Sequence, residues 1–257
     1  MLSDLQAVAP GSTVCLEPRL IPLFARSFEK LKFSSPYDID SDQCIKDGTF
    51  SAQTHIGSLG KYFRADAAGF SRVNTPYLKA DPFKASNLRK RLAKQGRILC
   101  GISWRSKNAE IGADKSLSLK TLLPILSASG VDFIDLQYGD TSEERESLSQ
   151  AHGIHVQHLD DVDNKNDLDN LAALISACDI VITISNVTAH IAGALSKPTL
   201  VMLSNSPSSL WYWPRNRIES FWYPSTVLIR QNQPGNWSEV VSSATSALAE
   251  FCRLYTT

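Results

Sequence analysis

The chain has 257 residues, 26 Lys and Arg against 26 Asp and Glu, 43% hydrophobic residues and 9% aromatics. That length supports a core for one large domain or two small ones, and the balanced charge gives no global field to draw nucleic acid or an anionic membrane surface. No apolar run approaches the roughly 20 residues that span a bilayer, and residues 1–12 lack a basic stretch followed by an apolar one. Neither an integral membrane segment nor a signal peptide is therefore expected, and the predicted location is cytoplasmic.

In chain order, residues 13–16 form a short β-branched and apolar run that Pro18 closes. Leu20, Leu23, Phe24 and Phe28 then recur at helical spacing, so a strand followed by a helix is predicted. Residues 34–54 are polar, with Pro, Gly and Asp punctuation, and predict at most short strands. Thr75-Pro76-Tyr77 and Asp81-Pro82 mark an extended connection, because a residue before proline is pushed out of the α region. A basic helix is predicted over 83–95, stopped by Gly96. The five cysteines (Cys15, Cys44, Cys100, Cys178, Cys252) never fall in CxxC spacing. They argue against a disulfide framework or a zinc site and for a reducing compartment.

From residue 98 the pattern is regular. Strands are predicted at 98–104, 132–136, 154–156, 180–184, 199–203 and 227–229. Helices are predicted at 119–126, 141–150, 168–178, 188–195 and 238–251. Continuously apolar strands, each followed by an amphipathic helix, indicate a parallel sheet covered on both faces. The fold class is α/β, with a doubly wound, Rossmann-like second domain.

In such a sheet ligands bind beyond the carboxyl ends of the strands. Three strand exits stand out. After 98–104 come Ser103, Arg105 and Lys107, which suit a diphosphate by fork and point charge; a solvated basic loop is the alternative. Lys115-Ser116 adds a further cation and an N-cap candidate. After 180–184 come Asn186, Val187, Thr188 and His190, at a helix start whose N–H groups and dipole suit phosphate. Capping by Asn186 or Ser185 reads equally well there, and His190 fits a buried structural role as readily as a catalytic one. After 132–136 come Gln137 and Tyr138, which could face a nucleobase, beside Gly139. No GxGxxG, GxxxxGK[ST], GxSxG or HExxH pattern is present, which argues against a dinucleotide dehydrogenase or epimerase, a P-loop NTPase, an α/β serine hydrolase and a zinc protease. The acidic residues Asp160, Asp161, Asp163, Asp167 and Asp169 read as a solvated, helix-capping loop. In the loop 204–224, Trp211, Tyr212, Trp213, Phe221, Trp222 and Tyr223 either stack on a base or sugar or bury one another.

The segments GISWRSKN (101–108), IDLQYGD (134–140), DIVITISNVTAHIAGALSKPTLVML (179–203) and WYWPRNRIESFWYPSTVLIRQ (211–231) resemble the C-terminal domain of GT-B glycosyltransferases. The closest resemblance is to the heptosyltransferase-like, family 9-like bacterial group often joined to tetratricopeptide repeats. CLEPRLIPLFARSF (15–28) and IGSLGKYFR (56–64) resemble the last part of that group's N-terminal domain. The resemblance implies an incomplete, acceptor-side N-terminal α/β domain over 1–95 and a nucleotide-sugar-binding domain over 96–257. It implies transfer of a sugar from a nucleoside-diphosphate sugar to a hydroxyl on a glycan, lipid or protein, with no cofactor and no metal, since cations and a helix dipole stabilise the leaving diphosphate. Ser103, Arg105, Lys107, Asn186, Val187, Thr188 and His190 then bind diphosphate and sugar, and Gln137 and Tyr138 lie on the nucleobase side. The family's opening strand and glycine-rich turn are not found, and Ser185 stands where many relatives carry aspartate. No catalytic residue is therefore assigned, and the alternative is an inactive protein that binds a nucleotide sugar or a partner.

Overall fold

A computed structural model describes residues 1–71, 76–206 and 210–255. Thr75, part of the expected extended connection, and residues 207–209 of the aromatic loop lie outside the described residues. The chain divides into two units, Met1–Lys79 and Ala80–Thr257.

In the first unit, helix α1 (Leu2–Val8) leads to strand β1 (Thr13–Cys15), a 3-10 turn at Pro18–Leu20 and helix α2 (Ile21–Ser27). Strand β2 (Lys32–Ser34) pairs parallel with β1, Val14 opposite Phe33. Leu23, Phe28 and Leu31 are buried along this strand-helix-strand crossover. Three short helices follow: α3 (Ser41–Lys46), α4 (Gly60–Phe63) and α5 (Ala67–Phe70). Asp40 caps α3 by accepting from Gln43 N at 3.0 Å, and Asp66 caps α5 by accepting from Gly69 N at 2.9 Å. The expectation of at most strands over 34–54 therefore missed α3.

The second unit opens with helix α6 (Pro82–Leu92), with Pro82 in its first turn, where no donor is lost. Asp81 accepts from Phe83 N and Lys84 N at 2.9 and 3.0 Å. The expected boundary at 95/96 moves to 79/80 because α6 packs on a later helix, α9 (Leu168–Ala177). Lys84 pairs with Asp169 at 3.0 Å, and Arg89 donates to the Ala177 carbonyl at 2.8 Å.

The sheet comprises β3 (Ile98–Ser103), β4 (Val131–Asp135), β5 (Val156–Gln157), β6 (Ile180–Ile184), β7 (Thr199–Leu203) and β8 (Thr226–Arg230). Their order is β5-β4-β3-β6-β7-β8, all parallel. Strands β3, β6 and β7 are buried on both faces, which explains their continuous apolar runs. A 3-10 turn (Leu119–Leu122) continues into α7 (Leu123–Leu126), followed by α8 (Ser142–His152), α10 (Val187–Ala194) and the terminal α11 (Ser238–Tyr255). The expected single helix over 119–126 is split between Leu122 and Leu123, with Pro124 in the first turn of α7. Ser118, not Ser116, caps it by accepting from Thr121 N at 3.2 Å. Among the described residues no helix is long and apolar enough to cross a membrane.

Between β3 and β6 the winding direction reverses, since β4 and β5 follow on one side and β7 and β8 on the other. This is the topological switch point, where open parallel sheets leave a crevice at their carboxyl ends.

Candidate functional site

The three strand exits singled out in the sequence meet at this switch point, joined by one chain of buried hydrogen bonds. Gln137, just beyond β4, is 1% exposed. Its side-chain carbonyl accepts from Ser103 Oγ at 3.1 Å, Trp104 N at 3.0 Å and Arg105 N at 2.7 Å. Its amide nitrogen donates to the Tyr138 carbonyl at 3.2 Å. Ser103 Oγ accepts in turn from Asn186 Nδ2 at 2.7 Å. Asn186 Oδ1 accepts from Thr183 Oγ1 at 3.1 Å and caps α10 by accepting from Thr188 N at 3.0 Å.

This geometry sorts the expected site residues into two sets. Ser103, Gln137, Asn186 and Thr188 are buried. The side chains of the first three are spent on one another and on backbone, so they hold the site together from within. The nucleobase-side reading of Gln137 gives way to that of an internal bracket. Arg105, Lys107, Val187, His190 and Tyr138 are partly or fully exposed. Arg105 reaches across to the β4 exit, donating to the Asp140 carbonyl at 3.0 Å and pairing with Glu144 at 3.2 Å. Lys107 N donates to Tyr138 OH at 2.5 Å. The Lys107 ammonium lies over Gly139, whose φ of +81° and lack of a Cβ both admit this approach; a Cβ there would meet Nζ at 2.7 Å.

Lys115 is half-buried, and burial lowers its pKa from the ordinary lysine value. Neither Lys107 nor Lys115 has a carboxylate partner among the described residues. Thr188 Oγ1, in the first turn of α10, is buried with no hydrogen-bond partner there. The edge thus carries cations without counter-charges beside a helix start with N–H groups to satisfy.

His190, one turn into α10, is enclosed by the aromatic loop. Its ring stacks on Trp213 at 5.2 Å and 12°, and meets Tyr212 and Tyr223 edge-on at 5.0 and 5.8 Å. His190 Nδ1 shares a hydrogen bond with Tyr223 OH at 2.9 Å, and Trp213 Nε1 donates to Ser185 Oγ at 2.9 Å. Burial first, and the Lys115 charge second, lower the His190 pKa to about 4. Of the six aromatics of this loop, Trp213 is buried, Tyr212, Phe221, Trp222 and Tyr223 are partly buried, and Trp211 is 81% exposed. Tyr223 packs so closely on α10 that a Cβ on Gly193 would stand 2.4 Å from its Cγ. Gly193→Ala is expected to cost about 1–3 kcal/mol by overpacking; an unchanged urea midpoint would contradict the tight seat.

Sequence reasoning passed over Asp135, His158 and Asn164. Asp135 is buried at the end of β4 and accepts from Gln137 N at 2.7 Å and Thr141 Oγ1 at 2.5 Å. His158 Nδ1 lies 3.1 Å from the same carboxylate. Asn164 Nδ2 donates to the carbonyls of Asp135 and Gln137 at 3.3 and 3.4 Å. The one sequence signal is a charged residue, Asp135, at the end of the strand. In the acidic loop, Asp167 caps α9 by accepting from Asn170 N at 2.9 Å, Asp161 pairs with Arg91 at 2.8 Å, and Asp169 holds Lys84.

No family model matches the chain. Over 98% of its length it is 31% identical to Protein FlbA of Caulobacter vibrioides, of which it spans 44%. It therefore covers less than half the length of that curated relative. The solved structure of E. coli heptosyltransferase WaaC with ADP is similar over 98% of this chain and 93% of that one, at 13% identity and a TM-score of 0.54. E. coli ADP-heptose lps heptosyltransferase II is similar over 72% of this chain and 57% of that one, at 16% identity and a TM-score of 0.49. The chain thus has a heptosyltransferase-like α/β fold.

Proposed function

We propose that the unit Ala80–Thr257 binds the nucleoside-diphosphate part of a nucleotide sugar, and that the chain serves transfer of the sugar to a hydroxyl on a glycan, lipid or protein. The observation that carries this reading is the uncompensated cationic edge at the switch point. Lys107 and Lys115 lack carboxylate partners among the described residues, and the α10 start contributes N–H groups and its dipole. In the transfer the acceptor hydroxyl oxygen bonds to the anomeric carbon and releases its proton to water, as the bond from that carbon to the diphosphate oxygen breaks. Negative charge then gathers on the leaving diphosphate, where Lys107, Lys115 and the first turn of α10 stabilise it without a metal. Arg105, already tied to Glu144, stiffens this edge as much as it charges it.

Binding without turnover is the second reading. Ser185 favours it, since at the β6 exit stands a neutral hydroxyl already accepting from Trp213 Nε1.

Calorimetry with UDP, GDP and ADP tests the donor reading. At least one should bind, and the Lys107→Ala/Lys115→Ala double variant should bind it at least tenfold more weakly, as expected for lost charge-assisted contacts. Parent affinity in the double variant sinks the assignment. Sugar release from the corresponding nucleotide sugars separates a transferase from a binding protein.

A further inference from the structure

We infer that Gln137, anchored by Asp135, is the positioning residue of this site, setting the backbone of the 103–107 turn from inside the sheet. The inference rests on reading that turn as the anion-binding edge, and goes beyond it by naming what holds the edge in shape. A carbonyl oxygen has two lone pairs, yet Gln137 Oε1 receives three donors from three consecutive residues: Ser103 Oγ, Trp104 N and Arg105 N. The turn cannot pivot without breaking more than one of these bonds.

Gln137 is itself held at both ends. Its N–H donates to Asp135 Oδ1, and its side-chain amide donates to the Tyr138 carbonyl. The other Asp135 oxygen accepts from Thr141 Oγ1 and faces His158 Nδ1, with Arg145 Nε at 3.6 Å. On the far side Ser103 passes the chain to Asn186, the cap of α10. The cationic turn and the helix start, from strands not adjacent in sequence, are thereby locked to one frame. Such locking matters for an anion site because donors already fixed in place lose little freedom on binding.

The test uses the full chain with Gln137→Met, which keeps length and removes the acceptor, and Gln137→Glu, which keeps an acceptor and adds a charge. Two quantities are read: amide hydrogen exchange over residues 103–107, and affinity for whichever of UDP, GDP or ADP binds the parent. Gln137→Met should speed exchange of the Trp104 and Arg105 amides at least tenfold and weaken the nucleotide at least fivefold. Gln137→Glu should keep those amides slow while weakening the nucleotide through its charge. A residue with only a structural role would lower the unfolding midpoint and leave exchange at 103–107 and affinity at parent values; that result overturns the proposal. Should Gln137→Met fail to fold, Asp135→Ala, which removes the acceptor of the Gln137 N–H, serves instead, with faster exchange at Gln137 and over 103–107 expected and parent rates overturning. A parent that binds none of the three nucleotides defeats the donor reading alone, because the exchange measurement still decides the positioning role.

Discussion

Replacing Asp179 with alanine should lower the stability of the second unit by about 3–5 kcal/mol. Asp179 stands just before β6 and is buried. One carboxylate oxygen accepts from Leu99 N at 2.8 Å and pairs with Arg89 at 2.8 Å; the other accepts from Tyr255 OH at 2.7 Å. A single side chain therefore ties β3, α6 and the C-terminal turn of α11 to the sheet. Burial works against the charged form, but bonds from Arg89, Tyr255 and Leu99 outweigh it and hold the pKa below 3.8. A depressed carboxylate contributes its stability above that ordinary value and loses it as pH falls through the folded one. Alanine leaves the Leu99 N–H buried without an acceptor and Arg89 without its anion. Tyr255→Phe, which removes only one donor, should cost about 1.5–3 kcal/mol. Urea midpoints at pH 7 check both; an alanine variant within about 1 kcal/mol of the parent would mean the cluster is not a structural tie.

The parts of the fold legible in the sequence are those whose burial is one-dimensional. Residues 180–184 and 199–203 are apolar without a break because both faces of β6 and β7 are covered, and their bounds agree with the expected ones. Strand β2 was invisible: three residues with Lys32 exposed carry no period, and only pairing with β1 makes them a strand. Helix α3 was legible but missed, since Asp40 followed by Gln43 is a capping signal of the Asp-x-x-Gln kind. The turns at residues 103–107, 137–138 and 186–190 follow β3, β4 and β6, as the strand pattern predicts. That pattern did not reveal which side chains turn inward. Ser103 meets Gln137 across 34 residues and Asn186 across 83, and no local pattern records such bonds. The same holds for His190, whose enclosing Trp213 and Tyr223 lie beyond the next strand.

Lowering the pH from 7 to 4.5 should cost the second unit about 2.5 kcal/mol through His190 alone. In the unfolded chain the imidazole takes up its proton near 6.5, whereas in the fold burial and the Lys115 charge delay uptake to about 4. Between those values the unfolded state holds more protons, so stability declines as pH falls through this window and is complete above it. His190→Phe keeps a ring against Trp213 and Tyr223 but cannot titrate. Its unfolding free energy should fall less between pH 7 and 4.5, by about the same 2.5 kcal/mol. The carboxylates held low elsewhere, such as Asp161 and Asp163, titrate alike in both proteins and cancel in the comparison. An equal pH loss in parent and variant would mean that the ring is not kept neutral. The neutral imidazole also means that charge on the proposed diphosphate edge at pH 7 comes from Lys107, Lys115 and Arg105. A bound nucleoside diphosphate would favour the imidazolium and raise the folded pKa. Saturating nucleotide should therefore shrink the His190-dependent loss, and an unchanged loss would place the anion away from the start of α10.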